Sequence, residues 1–172
     1  MNIPALLRGT LLSATLLGAA APLLAAESAA RDQAFASEAS AAGQAEIDAA
    51  KLALQKSQAA DVKTFAQHII DDHTKANTEL QALATRKHLE LSDQPGLADK
   101  AKAKALDLRA ESFDAAYANN QVAAHEKAVQ LFTEAADKAS DPDLQQFARV
   151  TLPVLKQHLQ MAQDLAKAHP SK

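Results

Sequence analysis

Residues 61–88 have the sequence DVKTFAQHIIDDHTKANTELQALATRKH, in which apolar positions recur at alternating intervals of four and three. The recurring positions are Val62, Ala66, Ile69, His73, Ala76, Leu80 and Leu83. This spacing is typical of the seam of a left-handed helical bundle, so we predict one long amphipathic helix with Asp61 as its N-cap. An imidazole, that of His73, takes one of the apolar positions in the middle of the stripe.

The same alternation occurs in three further segments, and we therefore predict four long helices. They cover about residues 29–57, 61–88 and 112–139, and a last segment that begins at Asp141 and carries apolar positions up to Leu165. The last helix begins with Asp141 and Pro142, a cap followed by a proline at the first helical position. Pro153 lies inside that helix and predicts a kink or one lost backbone hydrogen bond.

The connections between these segments predict how the helices are arranged. Two short loops, near residues 58–60 and 140, join antiparallel neighbours. The long connection over residues 89–111 contains a turn at residues 92–96 and then a short Ala- and Lys-rich helix. Two hairpins joined by such a crossover form a ferritin-like four-helix bundle with a short extra helix. An up-down-up-down bundle is the competing topology.

Composition limits the class of protein. The 172 residues are enough for one domain, and they are 48% hydrophobic but only 3% aromatic, which favours Ala- and Leu-rich helices. The net charge is -3 and no basic stripe is present, so we expect no nucleic-acid partner. The chain has no Cys, which excludes disulfides, thiolate metal sites and cysteine nucleophiles.

The N-terminus has the pattern of a signal peptide. Arg8 precedes an uncharged, Leu- and Ala-rich stretch over residues 11–26, and the polar pair Glu27-Ser28 follows. We predict a signal peptide over residues 1–26, a bundle domain over residues 27–172, and export to a bacterial periplasm. The alternative is an uncleaved membrane anchor, which the shortness of the stretch and Pro22 disfavour. No stable membrane span is expected after cleavage.

Four polar residues take apolar stripe positions, one on each long helix. They are Glu46, His73, His125 and His158. Glu46 and His73 lie equally far from the centre of the first loop. His125 and His158 differ by two residues in their distance from the second loop, which is about 3 Å along a helix. We therefore predict that all four side chains share one layer of the bundle.

Two interpretations of this layer stay open. Three imidazoles and a carboxylate are suitable ligands for one zinc, copper, iron or manganese ion. Alternatively they form a hydrogen-bonded polar layer, with the carboxylate charged and one imidazole protonated. A di-iron centre is disfavoured, because the residues three before the histidines are the aliphatic Ile70, Val122 and Leu155 rather than glutamates.

Residues near the predicted layer have weaker interpretations. Asn77 and Gln121 lie four residues from His73 and His125, where they either orient the rings or pack at the edge of the core. We expect Asp72 at a solvated edge and the hydroxyl of Tyr117 at the rim. The chain has no Gly-rich phosphate loop and no nucleophile elbow, so no catalytic residue is predicted. The other three histidines, His68, His88 and His169, are expected at the surface or at helix ends.

Three motifs give the chain a family resemblance. They are Phe65-Ala66 through Asp72-His73, then Phe113-Asp114-x-x-Tyr117-x-x-x-Gln121-x-x-x-His125, then Thr151-Leu152-Pro153-x-Leu155-x-x-His158-Leu159. Together they resemble the exported bacterial proteins of the domain of unknown function 4142 (DUF4142) family, over about residues 35–165. The resemblance implies a ferritin-like four-helix bundle behind a signal peptide. It implies no established activity.

Two functions therefore compete at the level of sequence. The first is an exported protein that binds a single transition metal through the Glu/His layer. The second is a non-enzymatic envelope or stress-related bundle in which the same layer is structural. The sequence identifies no substrate and no protein partner.

Overall fold

The computed structural model describes residues 20–92, 94–108 and 113–171, and these ranges form α-helices without any strand. The helices are α1 (Ala20–Lys56), α2 (Ala60–Lys87), α3 (Leu97–Asp107), α4 (Phe113–Lys138) and α5 (Pro142–Ala168). The all-helical prediction is confirmed, with four long helices and one short helix in the long connection. Helix α1 begins earlier than the predicted residue 29.

The long helices form two hairpins, α1 with α2 and α4 with α5, and the hairpins pack through α1 against α4 and α2 against α5. Near the start of α1, Asp32 bonds to the loop between α4 and α5. At the end of α1, Lys56 forms an ion pair with Asp107, which lies shortly before α4. Helices α1 and α4 are therefore antiparallel, and α2 and α4 run in the same direction.

This direction decides between the two predicted topologies. An up-down-up-down bundle would require α2 and α4 to be antiparallel, joined at one end by the segment between them. Instead that segment, with α3 in it, returns along the length of the bundle and packs against both α1 and α4. The competing up-down-up-down order is wrong for this chain.

Two helix starts differ in how they are capped. The side chain of Asp141 accepts hydrogen bonds from the backbone N–H groups of Asp143 and Leu144, as expected for an N-cap. The prediction that Asp61 caps α2 is wrong, because α2 already begins at Ala60 and Asp61 lies inside its first turn. A carboxylate oxygen of Asp61 instead lies 2.9 Å from Nε2 of His169, and this contact holds the end of α5 against the start of α2.

The core consists of two apolar clusters at opposite halves of the bundle. One lies toward the α4–α5 loop and contains a group of aromatic rings, with the centroids of Phe35 and Phe132 5.2 Å apart. The other lies toward the α1–α2 loop, where the Tyr117 ring packs 6.1 Å from both Phe65 and Phe113. The clusters leave a layer between them, near the middle of each long helix.

The predicted signal peptide falls largely outside the described residues, since residues 1–19 are not among them. Helix α1 continues without a break through the predicted cleavage site at residues 25 and 26. Of the helices that the structure describes, none combines the length and apolar character needed to cross a bilayer.

Asp32 is the buried anchor that joins α1 to the second hairpin. Its oxygens accept hydrogen bonds from the backbone N–H of Ser140 (3.0 Å), the Ser140 hydroxyl (2.6 Å) and the backbone N–H of Asp141 (2.8 Å). We predict that Asp32→Ala lowers the free energy of unfolding by about 2 kcal/mol, because it leaves these donors without a charged acceptor. Urea denaturation measures the change.

The matched control is Asp48→Ala on the same helix, where the carboxylate is exposed and, among the residues that the structure describes, bonds only to the side chain of Gln44 one turn away. Its expected cost is about 0.5 kcal/mol or less. Equal effects of the two substitutions would show that the anchor contributes no more than a surface pair.

Candidate metal centre

The layer between the two apolar clusters contains the polar residues predicted from the sequence. On α2 the apolar cluster near the first loop ends at Ile70 and the other begins at Ala76, with His73 between them. His125 and His158 take the corresponding positions on α4 and α5. The apolar stripes, with their alternating four- and three-residue spacing, therefore bring three imidazoles to one depth of the bundle, as predicted.

The three histidines form a compact buried group. Their ring centroids are 5.3 to 5.5 Å apart, and each residue offers one ring nitrogen within 4.8 Å of those of the other two. Exposed fractions are 7% for His73, 0% for His125 and 2% for His158. Three ring nitrogens at this spacing surround a space in which one metal ion fits.

Two of the rings are oriented by hydrogen bonds on their outer side. Nδ1 of His125 lies 3.0 Å from the backbone carbonyl oxygen of Gln121, and Nε2 of His158 lies 2.9 Å from Oδ2 of Asp72. A carbonyl oxygen and a carboxylate oxygen accept hydrogen bonds, so these ring nitrogens donate and the opposite nitrogen of each ring keeps its lone pair. Within the described part of the chain, Nε2 of His73, Nε2 of His125 and Nδ1 of His158 have no hydrogen-bond partner.

Burial keeps the three imidazoles neutral. Loss of water, together with a smaller effect of the neighbouring histidines, lowers the pKa of His73 to about 3 and that of His125 to about 4. Burial also lowers the pKa of His158, although Asp72 acts in the opposite direction. Neutral imidazole is the form that binds metal ions, so the site needs no deprotonation near pH 7.

Glu46 lies beside the histidine group and not within it. Its carboxylate lines the same cavity, but of the described acidic and histidine side chains only the three histidines bring ligand atoms within 4.8 Å of one another as a group. The side chain of Gln121 interacts with the carboxylate, and burial raises the pKa of Glu46 to about 7. The predicted layer thus contains all four residues. The three histidine rings converge, and Glu46 lies at the wall of the cavity.

A family model described as "Domain of unknown function" (DUF4142) matches residues 18–165, most of the chain. The chain belongs to the DUF4142 family. The resemblance carried by the three sequence motifs is confirmed, and the family description gives no activity. No curated protein matches the chain.

Among solved structures, this DUF4142 protein is similar to the crystal structure of a DUF305 fragment from Deinococcus radiodurans. The TM-score is 0.71 at 15% sequence identity, and the match covers 80% of this chain and 96% of the fragment. At that identity the likeness shows a common helical fold and nothing about function.

Two neighbouring residues differ in how well they were predicted. Asp72 lies at a solvated edge as expected, with its side chain 46% exposed, but one oxygen also reaches across from α2 to the ring of His158 on α5. Tyr117 was expected to place its hydroxyl at the rim, whereas the residue is fully buried between two Phe rings, and the hydroxyl has no bonding partner in the described ranges.

Gln121 and Asn77 act differently from each other. Gln121 orients His125 through its backbone carbonyl, and its side chain is directed to Glu46 instead. Asn77 donates a 3.4 Å hydrogen bond to the carbonyl of Ser40 and so joins α2 to α1. Gly43 permits this contact, since a Cβ there would lie 2.4 Å from the Asn77 side chain.

The buried titratable groups predict a pH dependence of stability for the metal-free DUF4142 protein. Between pH 4.5 and 6.5, His73 and His125 are protonated when unfolded but neutral when folded, so stability falls as the pH falls. Glu46 opposes them, because its folded pKa of about 7 exceeds the ordinary 4.5. The net difference of about one proton gives a loss on the order of 1 kcal/mol per pH unit.

Urea denaturation of chelator-treated protein between pH 5 and 6.5 measures this slope. Glu46→Gln removes the opposing group and should steepen the slope by about 1 kcal/mol per pH unit. A stability that does not change over this range, or that rises as the pH falls, would contradict the buried, neutral state of the histidines.

Proposed function

We propose that this DUF4142 protein binds a single transition-metal ion through His73, His125 and His158. The observation that carries the proposal is the set of three ring nitrogens that have no hydrogen-bond partner among the described residues, from three buried and closely spaced rings. Leaving such groups buried without partners costs several kcal/mol. A metal ion satisfies all three at once.

The alternative, a structural polar layer, requires hydrogen bonds within the layer. The outward bonds of His125 and His158 use the ring proton of each, so both rings turn a lone pair toward the centre. Two lone pairs cannot bond to each other, and burial opposes the protonation that would let them do so. This favours a cation at the centre over a layer of mutual hydrogen bonds.

The donor set favours zinc or copper over iron and manganese. Imidazole nitrogens suit zinc, copper and iron, but divalent copper and zinc bind such sites more tightly than ferrous iron, and manganese prefers carboxylate oxygens. The sequence predicted Glu46 as a fourth ligand. In this proposal Glu46 lies in the wall beside the metal and does not bind it directly. Three nitrogen ligands then leave at least one coordination position for water or another molecule.

We further propose that the protein is exported and acts in the periplasm as a ferritin-like bundle. Support comes from the signal-peptide pattern over residues 1–26 and from two hairpins joined by a crossover that runs the length of the bundle. The metal chemistry differs from that of the two-iron ferritin-like oxidases, because the Glu-x-x-His pairs of those proteins are missing from this sequence.

Protein purified without chelator is predicted to contain about one equivalent of zinc or copper. His125→Ala should lower the affinity more than about 100-fold, since loss of a direct ligand exceeds the 10–100-fold effect of outer partners. Elemental analysis and competition titration measure both quantities, and circular dichroism checks folding.

His88→Asn is the control, because His88 lies exposed at the end of α2 in a left-handed conformation that Asn accepts. It should bind metal like the unchanged protein. Protein that stays metal-free at micromolar zinc and copper would rule out the proposed function.

Asp71 and Asp72 offer a matched pair of substitutions. Asp72 bonds to the ring of His158, whereas its neighbour Asp71 accepts a 2.8 Å hydrogen bond from Gln67 on the same helix. Asp72→Ala should therefore lower metal affinity by roughly 10–100-fold, and Asp71→Ala should leave it within about twofold. Equal losses would mean that only the general negative charge near α2 affects binding.

A further inference from the structure

A cavity of about 360 Å³ opens from the histidine group into the groove between α1 and α4. The two facing helix surfaces are rich in alanine: Ala41, Ala42 and Ala45 on α1, and Ala124 and Ala128 on α4. Their short side chains leave the space unfilled. The volume lies at the lower end of the 300–1,000 Å³ that is usual for small-molecule sites.

The walls of this cavity differ from one part to another. The three histidines line its inner part together with Glu46. Leu80, Leu131, Phe132 and Phe147 add a large apolar surface. Charged side chains of α3 and α4, among them Asp99, Lys102 and Lys127, border it on the outer side. A molecule in this space would meet polar groups at one end and hydrocarbon along most of its length.

Water alone is a poor occupant of such a space. A buried water molecule needs two to four polar partners, and the alanine, leucine and phenylalanine side chains supply none. Filling the apolar part with hydrocarbon removes that surface from water, which is favourable. The metal proposed above would leave a coordination position free for one donor atom of the same molecule.

We propose that the cavity binds a small organic molecule that has one metal-coordinating donor atom and an apolar body. The donor atom takes the open position of the metal held by the three histidines, and the body lies between α1 and α4. This inference rests on the proposed metal function. It adds that the metal is accessible to a ligand of defined shape, which a purely structural metal would not be.

The test uses protein loaded with cobalt(II), whose visible absorption bands change when a ligand joins the metal. Two probes are titrated, imidazole and 4-phenylimidazole, which share a donor ring and differ by an apolar ring. We expect both to change the spectrum, and 4-phenylimidazole to bind about tenfold or more tightly because its second ring is buried. Metal content is measured on the same samples.

Cavity-filling variants connect the preference to this groove. Ala128→Leu on α4 and Ala42→Leu on α1 narrow the cavity from opposite walls, so either one that folds suffices. Each should remove most of the tenfold preference for 4-phenylimidazole. Ala82→Leu, at an exposed position of α2, is the matched control and should keep the preference.

The outcomes separate the two proposals. If the protein binds cobalt but neither probe changes the spectrum, the metal is closed to ligands and the inference is overturned while the metal function stands. If both probes bind equally, or if the filled variants keep the preference, the apolar body does not occupy the groove and the inference is also overturned. If no metal binds, both proposals fail.

Discussion

Three imidazoles are buried at one depth of the bundle, and one nitrogen of each ring has no hydrogen-bond partner among the described residues. The outward nitrogens of His125 and His158 are committed to Gln121 and Asp72, which turns the inner lone pairs toward a common space. Because these groups are buried, this arrangement is costly unless a cation occupies the centre. The proposed metal, its open position and the adjoining ligand cavity all depend on this constraint.

The loops and the Asp32 contact place the three histidines at the same depth in the bundle. The α1–α2 and α4–α5 loops fix the register within each hairpin, and Asp32 fixes α1 against the far loop. Aromatic and aliphatic clusters on both sides then hold the layer in place. The short alanine side chains on the facing surfaces of α1 and α4 leave the cavity beside Glu46 unfilled.

Sequence periodicity predicted the helices and the shared layer, because residues four and three apart lie on one helix face whatever the partner. It did not predict the role of Asp72, which depends on which helix packs beside α2. Tyr117 was misplaced for a similar reason, since its burial arises in part from the Phe65 ring on another helix, α2. Spacing along one chain also does not specify that Glu46 lies at the wall of the cavity beside the three histidines and not among them.

The most direct test of the central claim is X-ray absorption spectroscopy at the metal edge of the zinc- or copper-loaded protein. We expect about three imidazole nitrogens at roughly 2.0 Å, together with one exchangeable ligand that gives no imidazole scattering. A shell made of oxygen atoms without imidazole scattering would contradict it, because the metal would then be bound elsewhere on the protein.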